Sequence, residues 1–336
     1  MKKHICISLA TSLLLSFSFI GCGGGGDSSN DSSTPATQTT ASTVSFSGVA
    51  VDGYISGATA CLDTNINGKC ESGEPTTKTQ SDGSFTFSDV SLGSNTLVPV
   101  LVNGGLDTAT GKLFKGQLSN IVTKEDIDNG VSLSVTPLTD LVATAFIASP
   151  IKSDTALSSI KSTVATALNI AESKVDADPM QDKEVFAKAQ KVEQTKALLL
   201  SSASKAANVT EGTAEAEAMR ESVSQALSAS LQANSSLDTT EAFSLLESTQ
   251  RVSIPTNEKE FIVKQVEEIQ ATLQKLVNDA TVTLNALNTK QQEIESIVDV
   301  ASASIDNATD DSTITVVTEQ TPMVISLPTP PTPPSL

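Results

Sequence analysis

Val135-Thr136-Pro137-Leu138-Thr139-Asp140-Leu141-Val142-Ala143-Thr144-Ala145-Phe146 is where this chain changes character. Upstream, short β-branched runs alternate with turn residues. Downstream, the composition becomes Ala, Leu, Ser, Lys, Glu and Gln. Pro137 suits a first helical turn, where its missing N–H costs nothing. Leu138, Leu141, Val142, Ala145 and Phe146 then recur at helical spacing. The sequence therefore predicts an α+β chain: a small antiparallel β-sandwich over 44–135, followed by an all-α helical bundle over 136–307.

Working back from the boundary, Val44–Val51 alternates like a strand, Asp52-Gly53-Tyr54 turns, and Ser56–Leu62 reads as a second strand. Ser81-Asp82-Gly83 is a turn signal before the alternating Ser84-Phe85-Thr86-Phe87, of which one Phe is expected to face the core. Thr96–Val102 is an apolar strand interrupted by Pro99, which points to an edge position.

Between the second strand and Pro75 lies Asp63-Thr64-Asn65-Ile66-Asn67-Gly68-Lys69-Cys70-Glu71-Ser72-Gly73-Glu74. This fits D-x-[DN]-x-[DN]-G-x5-E, the pattern of a twelve-residue calcium loop. Asp63, Asn65, Asn67 and Glu71 stand at the first, third, fifth and ninth positions. Gly68 sits where the chain must turn sharply, Lys69 offers a backbone carbonyl, and Glu74 can bind through both oxygens. Calcium is a hard ion, and alternate residues of a tight loop supply its oxygens. The plainer alternative is a polar β-turn loop. The flanks are small or β-branched, so the loop is placed between strands, as a structural clip rather than a helix-opening switch.

Working forward, Ser153 or Asp154 can cap a helix carrying Leu157, Ile160, Val164 and Leu168. Further helices are expected from Asp182, over Thr210–Leu231 and over Thr239–Glu247, with a break near Pro255. Beyond it, Val266, Leu273, Ala280, Leu287 and Ile294 lie seven apart, which predicts one long last helix. Thr283 and Lys290 interrupt its companion seam, favouring an intramolecular bundle over an oligomeric coiled coil. Residues 308–336 form a Thr/Pro-rich tail, extended at its Pro-rich end, with strand-like stretches at Thr313–Val317 and Met323–Leu327.

At the other end, Lys2 and Lys3 precede an apolar run, Ile5–Ile20, that is short and Ser-rich for a membrane span. It closes on Phe19-Ile20-Gly21-Cys22, which resembles the lipobox of bacterial lipoproteins. The resemblance implies a signal peptide over 1–22, cleavage before Cys22 and lipid on its sulfur. Gly23 after the cysteine implies passage to the outer membrane. Residues 23–43 are Gly, Ser, Thr, Asp and Asn, too polar to bury a core, and read as a flexible tether. Cys6 leaves with the signal. Cys61 and Cys70 remain, and export favours a disulfide between them over two reduced thiols.

The run Gly48-Val49-Ala50-Val51-Asp52-Gly53-Tyr54-Ile55-Ser56-Gly57-Ala58, the acidic loop and Ser81-Asp82-Gly83-Ser84-Phe85 together resemble the carboxypeptidase-regulatory-like and collagen-adhesin B-type sandwiches. Asn103–Gly111 and Val135–Val142 extend the likeness to a β-module that precedes a helical segment beginning Thr-Pro-Leu-Thr in bacterial surface proteins. The resemblance spans about 48–180. It implies display or adhesion, and no catalytic residue. The single copy and the added Cys61 and Cys70 depart from it.

Composition narrows the function classes. The one histidine is His4, inside the expected signal, so the processed chain lacks the usual neutral-pH base and Ser-His-Asp or Cys-His machinery. The net charge is −18 and falls to about −20 without Lys2 and Lys3, which disfavours nucleic acid and anionic lipid surfaces. The expectation is a non-catalytic cell-envelope lipoprotein, an outer-membrane adhesion or scaffolding module facing the cell surface or the periplasm. It would be stabilised by calcium, held to the membrane by its lipid, and would meet a protein or glycan ligand. The alternatives are a carboxylate-based hydrolase acting on envelope or extracellular polysaccharide, and an accessory subunit of an outer-membrane assembly. The absence of Trp and the single Tyr weigh against a carbohydrate-processing site.

Overall fold

Strand β1 (Thr43–Ala50) runs antiparallel to β5 (Ser84–Ser91) on one side. On the other it runs parallel to β9 (Leu133–Val135), so one pair departs from the all-antiparallel expectation. A second sheet has the order β4 (Thr76–Lys78), β3 (Thr59–Leu62), β6 (Leu97–Asn103), β8 (Gln117–Thr123), all antiparallel. A short ladder pairs β2 (Ile55–Ser56) with β7 (Leu106–Asp107). These details come from a computed structural model, which describes residues 43–234, 236–308 and 314. The expected signal, Cys22, the tether up to residue 42 and nearly all of the tail lie outside the described residues.

The two larger sheets enclose a core of Phe46, Phe85, Phe87, Val98, Val100, Val102, Leu118, Val122 and Val135. Phe85 and Phe87 are both buried, correcting the expectation of one inward Phe: residues two apart share a face, and it is Ser84 and Thr86 that point away. Gly48 makes room for Phe85. A Cβ there would lie 2.5 Å from the Phe85 ring and 2.6 Å from the Leu133 carbonyl.

β6 is a central strand, not an edge. Pro99 is tolerated because the β3 ladder ends at Leu62 opposite Val100. Pro99 sits one step beyond, where its carbonyl accepts from Asp63 N (2.9 Å) and no ladder bond awaits its missing N–H. β6 is buried from Leu97 to Val102 because the helices cover the second sheet's outer face, where Leu97 and Ile121 join the helical core. The expected strand over 56–62 is divided at Gly57, which takes φ +71°. A short helix, α1 (Lys124–Asp128), capped reciprocally by Thr123 and Asp126, falls inside the β part and was not expected.

The boundary segment docks the helices onto the sheet. Thr136 caps α2 (Pro137–Ala148), and Thr139 reaches back to Thr136 N, closing a capping box. The Thr139 hydroxyl also donates to Ser119 O on β8 (2.9 Å), and Ser119 Oγ donates to Asp140 Oδ1 (2.6 Å). Lys196 completes the corner from α4 (Lys183–Ala207): its Nζ lies 3.1 Å from Asp140 Oδ2 and 3.2 Å from Glu193 Oε2. Sheets and helices thus belong to one compact unit.

Helices α3 (Asp154–Leu168, capped by Ser153), α5 (Ala214–Asn234) and α6 (Thr239–Gln250) surround α2 and α4. The expected long last helix is two: α7 (Thr256–Asn278) and α8 (Leu287–Asn307), both packed on α4. The break has local causes. The Asp279 carboxylate takes Thr281 N (2.8 Å) and Thr281 Oγ1 (2.6 Å), and the β-branched Thr281-Val282-Thr283 run follows. Lys205 then ties the ends together, binding Glu258 of α7 (2.5 Å) and the carbonyl of Ile305 in α8 (2.6 Å). Among the described residues, no helix is long and apolar enough to cross a membrane.

Candidate metal site

The acidic loop connects β3 to β4, in keeping with its strand-like flanks. Its base is closed by Leu62 N donating to Pro75 O (2.9 Å) and Asp63 N to Pro99 O (2.9 Å). Left-handed backbone at Ile66 (φ +58°) and Gly68 (φ +80°) curls the chain back over Asp63. Asp63 is fully buried: Oδ1 accepts from Asn67 N (3.1 Å) and Oδ2 from Gly68 N (2.7 Å). Asn65 Oδ1 accepts from the same Asn67 amide (3.1 Å), and Asn67 Oδ1 accepts from Lys69 N (2.9 Å). Glu71 Oε2 takes the Asn65 amide (2.8 Å). Glu74 accepts from Thr64 N (2.8 Å) through one oxygen and Glu71 N (3.0 Å) through the other. Cys61 and Cys70 are paired, with Cα atoms 5.9 Å apart, so the eighth loop position is tied to β3.

Burial pushes the Asp63 carboxyl above its ordinary range; the Gly68 and Asn67 amides offset part of this, and the Glu74 charge adds to it. Among the described residues, Asp63, Glu71 and Glu74 have no ion-pair partner. The all-oxygen donor set fits a hard cation, but the two Glu74 oxygens are engaged by backbone amides rather than turned together toward Asp63. Coordination through both would require that side chain to swing.

A different carboxylate group converges more closely. Oxygens of Asp52, Asp107 and Glu295 lie within 4.8 Å of one another, with the two aspartates buried. Asp52 opens the turn after β1, Asp107 ends β7 and Glu295 belongs to α8. All three line a crevice of about 1580 Å³ between the β part and the helices, whose wall also includes Gly68 and Lys69 of the loop. Burial raises the Asp52 carboxyl well above its ordinary value, with Glu193, Asp107 and Glu295 adding like charge. Burial also raises Asp107 and Glu295.

Comparison with protein-family models, with curated proteins and with solved structures finds no match. The second carboxylate group was not anticipated from the sequence. Asp52 stands in a turn that the sequence singles out, and Asp107 in the 103–111 stretch that carries the family likeness, but nothing local links either to a glutamate on a distant helix.

Proposed function

We propose that this chain is a non-catalytic cell-envelope lipoprotein module, anchored through Cys22, whose β part is stiffened by calcium in the 63–74 loop and whose exposed faces serve adhesion or scaffolding. One observation carries the calcium part: a wholly buried carboxylate, Asp63, wrapped by two loop amides in a ring of further oxygens. Calcium there would engage Asp63, Asn65, Asn67, the Lys69 carbonyl, Glu71 and Glu74, neutralising carboxylates that no lysine or arginine among the described residues pairs with. The Cys61–Cys70 pair supports this by limiting the loop's freedom before the ion arrives. The lipobox-like Gly21-Cys22 and the lack of any histidine after His4 support the envelope and non-catalytic parts.

The test is calcium titration of the full chain after chelation, by calorimetry, alongside Asp63→Ala with Glu74→Ala. The double variant is expected to lose one equivalent of bound calcium; an unchanged stoichiometry removes the loop as a site. For the anchor, Cys22→Ser is expected to move the protein from the membrane pellet to the soluble fraction. Continued sedimentation refutes lipid attachment there.

A further inference from the structure

We infer that the crevice between the β part and the helices is a docking groove for this chain's own segment 315–327, which lies along it in extended form. Three observations carry the assignment.

The first is where the chain goes after α8. Lys205, near the end of α4, binds the carbonyls of Ile305 (2.6 Å) and Ala308 (2.9 Å). Ser201 Oγ donates to Asp306 Oδ1 (3.4 Å). The end of α8 is thus fixed beside the end of α4. Leu200, which lines the crevice, stands five residues before Lys205, or about 7.5 Å back along the helix. Ala214, the first residue of α5, is also in the wall and follows α4 after the connection 208–213. The chain therefore leaves α8 at one end of the crevice. Ile314 is half-buried and packs against the helical core, so the chain turns back onto the molecule. The six steps from Ala308 to Ile314 cover at most about 20–22 Å, which keeps Ile314 close to that end.

The second is a wall without cover and a segment suited to cover it. Leu113 is 71% exposed although it lines the crevice. Ala214 and Ala218 of α5 are exposed there too, and Ile147 and Leu200 are half-buried. Segment 315–327 carries Val316, Val317, Met323, Val324, Ile325 and Leu327, a composition that favours extended chain on a partly buried surface. Thirteen extended residues reach about 43–47 Å. The stretch of α5 in the wall, Ala214 to Gln225, rises about 17 Å, so the segment is long enough to run past it.

The third is charge. Four of the five cations in the wall are engaged. Lys112 lies between Glu295 (3.1 Å) and Asp299 (2.6 Å), and Lys196 between Asp140 and Glu193. Lys115 (3.9 Å) and Arg220 both meet Glu211. Lys69 alone has no ion-pair partner among the described residues. Residues 312–327 carry one charge, Glu319. A nearly neutral segment with a single carboxylate fits such a wall, whereas a highly charged ligand would have to break the existing pairs. A tethered segment also acts at an effective concentration of about a millimolar, which an outside peptide must exceed.

The test is hydrogen exchange of the full chain, read by mass spectrometry. Amides of 315–327 are expected to exchange at least about tenfold more slowly than an unstructured peptide of the same sequence. Val316→Asp with Ile325→Asp, which leaves every wall residue in place, should abolish that protection and speed exchange of 112–117. Ala218→Arg and Leu113→Lys, both at exposed positions, should free 315–327 by filling the crevice. Neither calcium in the loop nor the lipid enters this docking, so its failure leaves those readings untouched. Exchange of 315–327 at the unstructured rate in the wild type overturns the proposal, as does protection that survives both crevice variants. Protection that disappears on dilution assigns the groove to the segment of a second copy and overturns it equally.

Discussion

Replacing Lys196 with methionine tests how the helices are held to the sheet. The ammonium is buried beside Asp140 and Glu193, with 10% of the Lys196 side chain and 3% of the Asp140 side chain exposed. Methionine keeps most of the stem's packing and removes the charge. Asp140 would remain a buried carboxylate with the Ser119 hydroxyl (2.6 Å) as its hydrogen-bond partner. Breaking a buried pair from one side costs about 3–5 kcal/mol. Asp140 lies in the first turn of α2, and the helix N-terminus recovers about 0.3–1 kcal/mol of that. A loss of about 3–4 kcal/mol is expected, or about 6–16 °C in Tm at about 2–4 °C per kcal/mol for a unit of this size.

The assay is thermal unfolding by circular dichroism, run as a double-mutant cycle with Asp140→Asn. The paired variant leaves no lone buried charge at that bond, so it should be more stable than the sum of the single losses predicts, by about 1–3 kcal/mol. The pH dependence has a definite sign. Burial lowers the Lys196 pKa, but Asp140 and Glu193 outweigh it, so the net shift is upward. A raised lysine contributes fully below its unfolded value near 10.4 and loses its contribution only as pH climbs through the folded one. The gap between wild type and Lys196→Met should therefore be constant from pH 6 to 9. A gap under about 1 kcal/mol, or strict additivity in the cycle, would refute the idea that this pair locks α2 and α4 onto β8.

Two further outcomes follow from the packing and the charges. Gly48→Ala should lower the urea midpoint by the equivalent of about 1–3 kcal/mol, because the new methyl meets the Phe85 ring and the Leu133 carbonyl; an unchanged midpoint means that β1 and β9 are not packed as described. Burial raises the Glu247 carboxyl, but bonds from Lys259 (2.7 Å) and Ile254 N (2.8 Å) outweigh it and hold the pKa below its ordinary 4.5. Its contribution to the α6–α7 connection is present above that value and lost as pH falls through the folded pKa. The Tm difference between wild type and Glu247→Gln should shrink on acidification below pH 4.5. A difference that does not change with pH refutes the contribution.

What the sequence discloses here depends on how far a physical cause reaches along the chain. Pro137, the helical stripe after it and the period-2 run at 84–87 act within a few residues, and the β-to-α boundary and the strand they indicate are present. Pro99 was misread because its local effect is the loss of one donor. Whether that matters depends on where the neighbouring ladder stops, which is a property of β3 and not of β6. The heptad at 266–294 failed for the opposite reason. Apolar spacing continued through 280–287, but the Asp279–Thr281 turn and the β-branched residues after it opposed the helix more strongly than the spacing favoured it. The loop at 63–74 is legible as a connection between strands because its turn residues and its small or β-branched flanks follow one another directly in the chain. Asp52, Asp107 and Glu295 meet only after β1, β7 and α8 are in place, so no spacing rule could connect them.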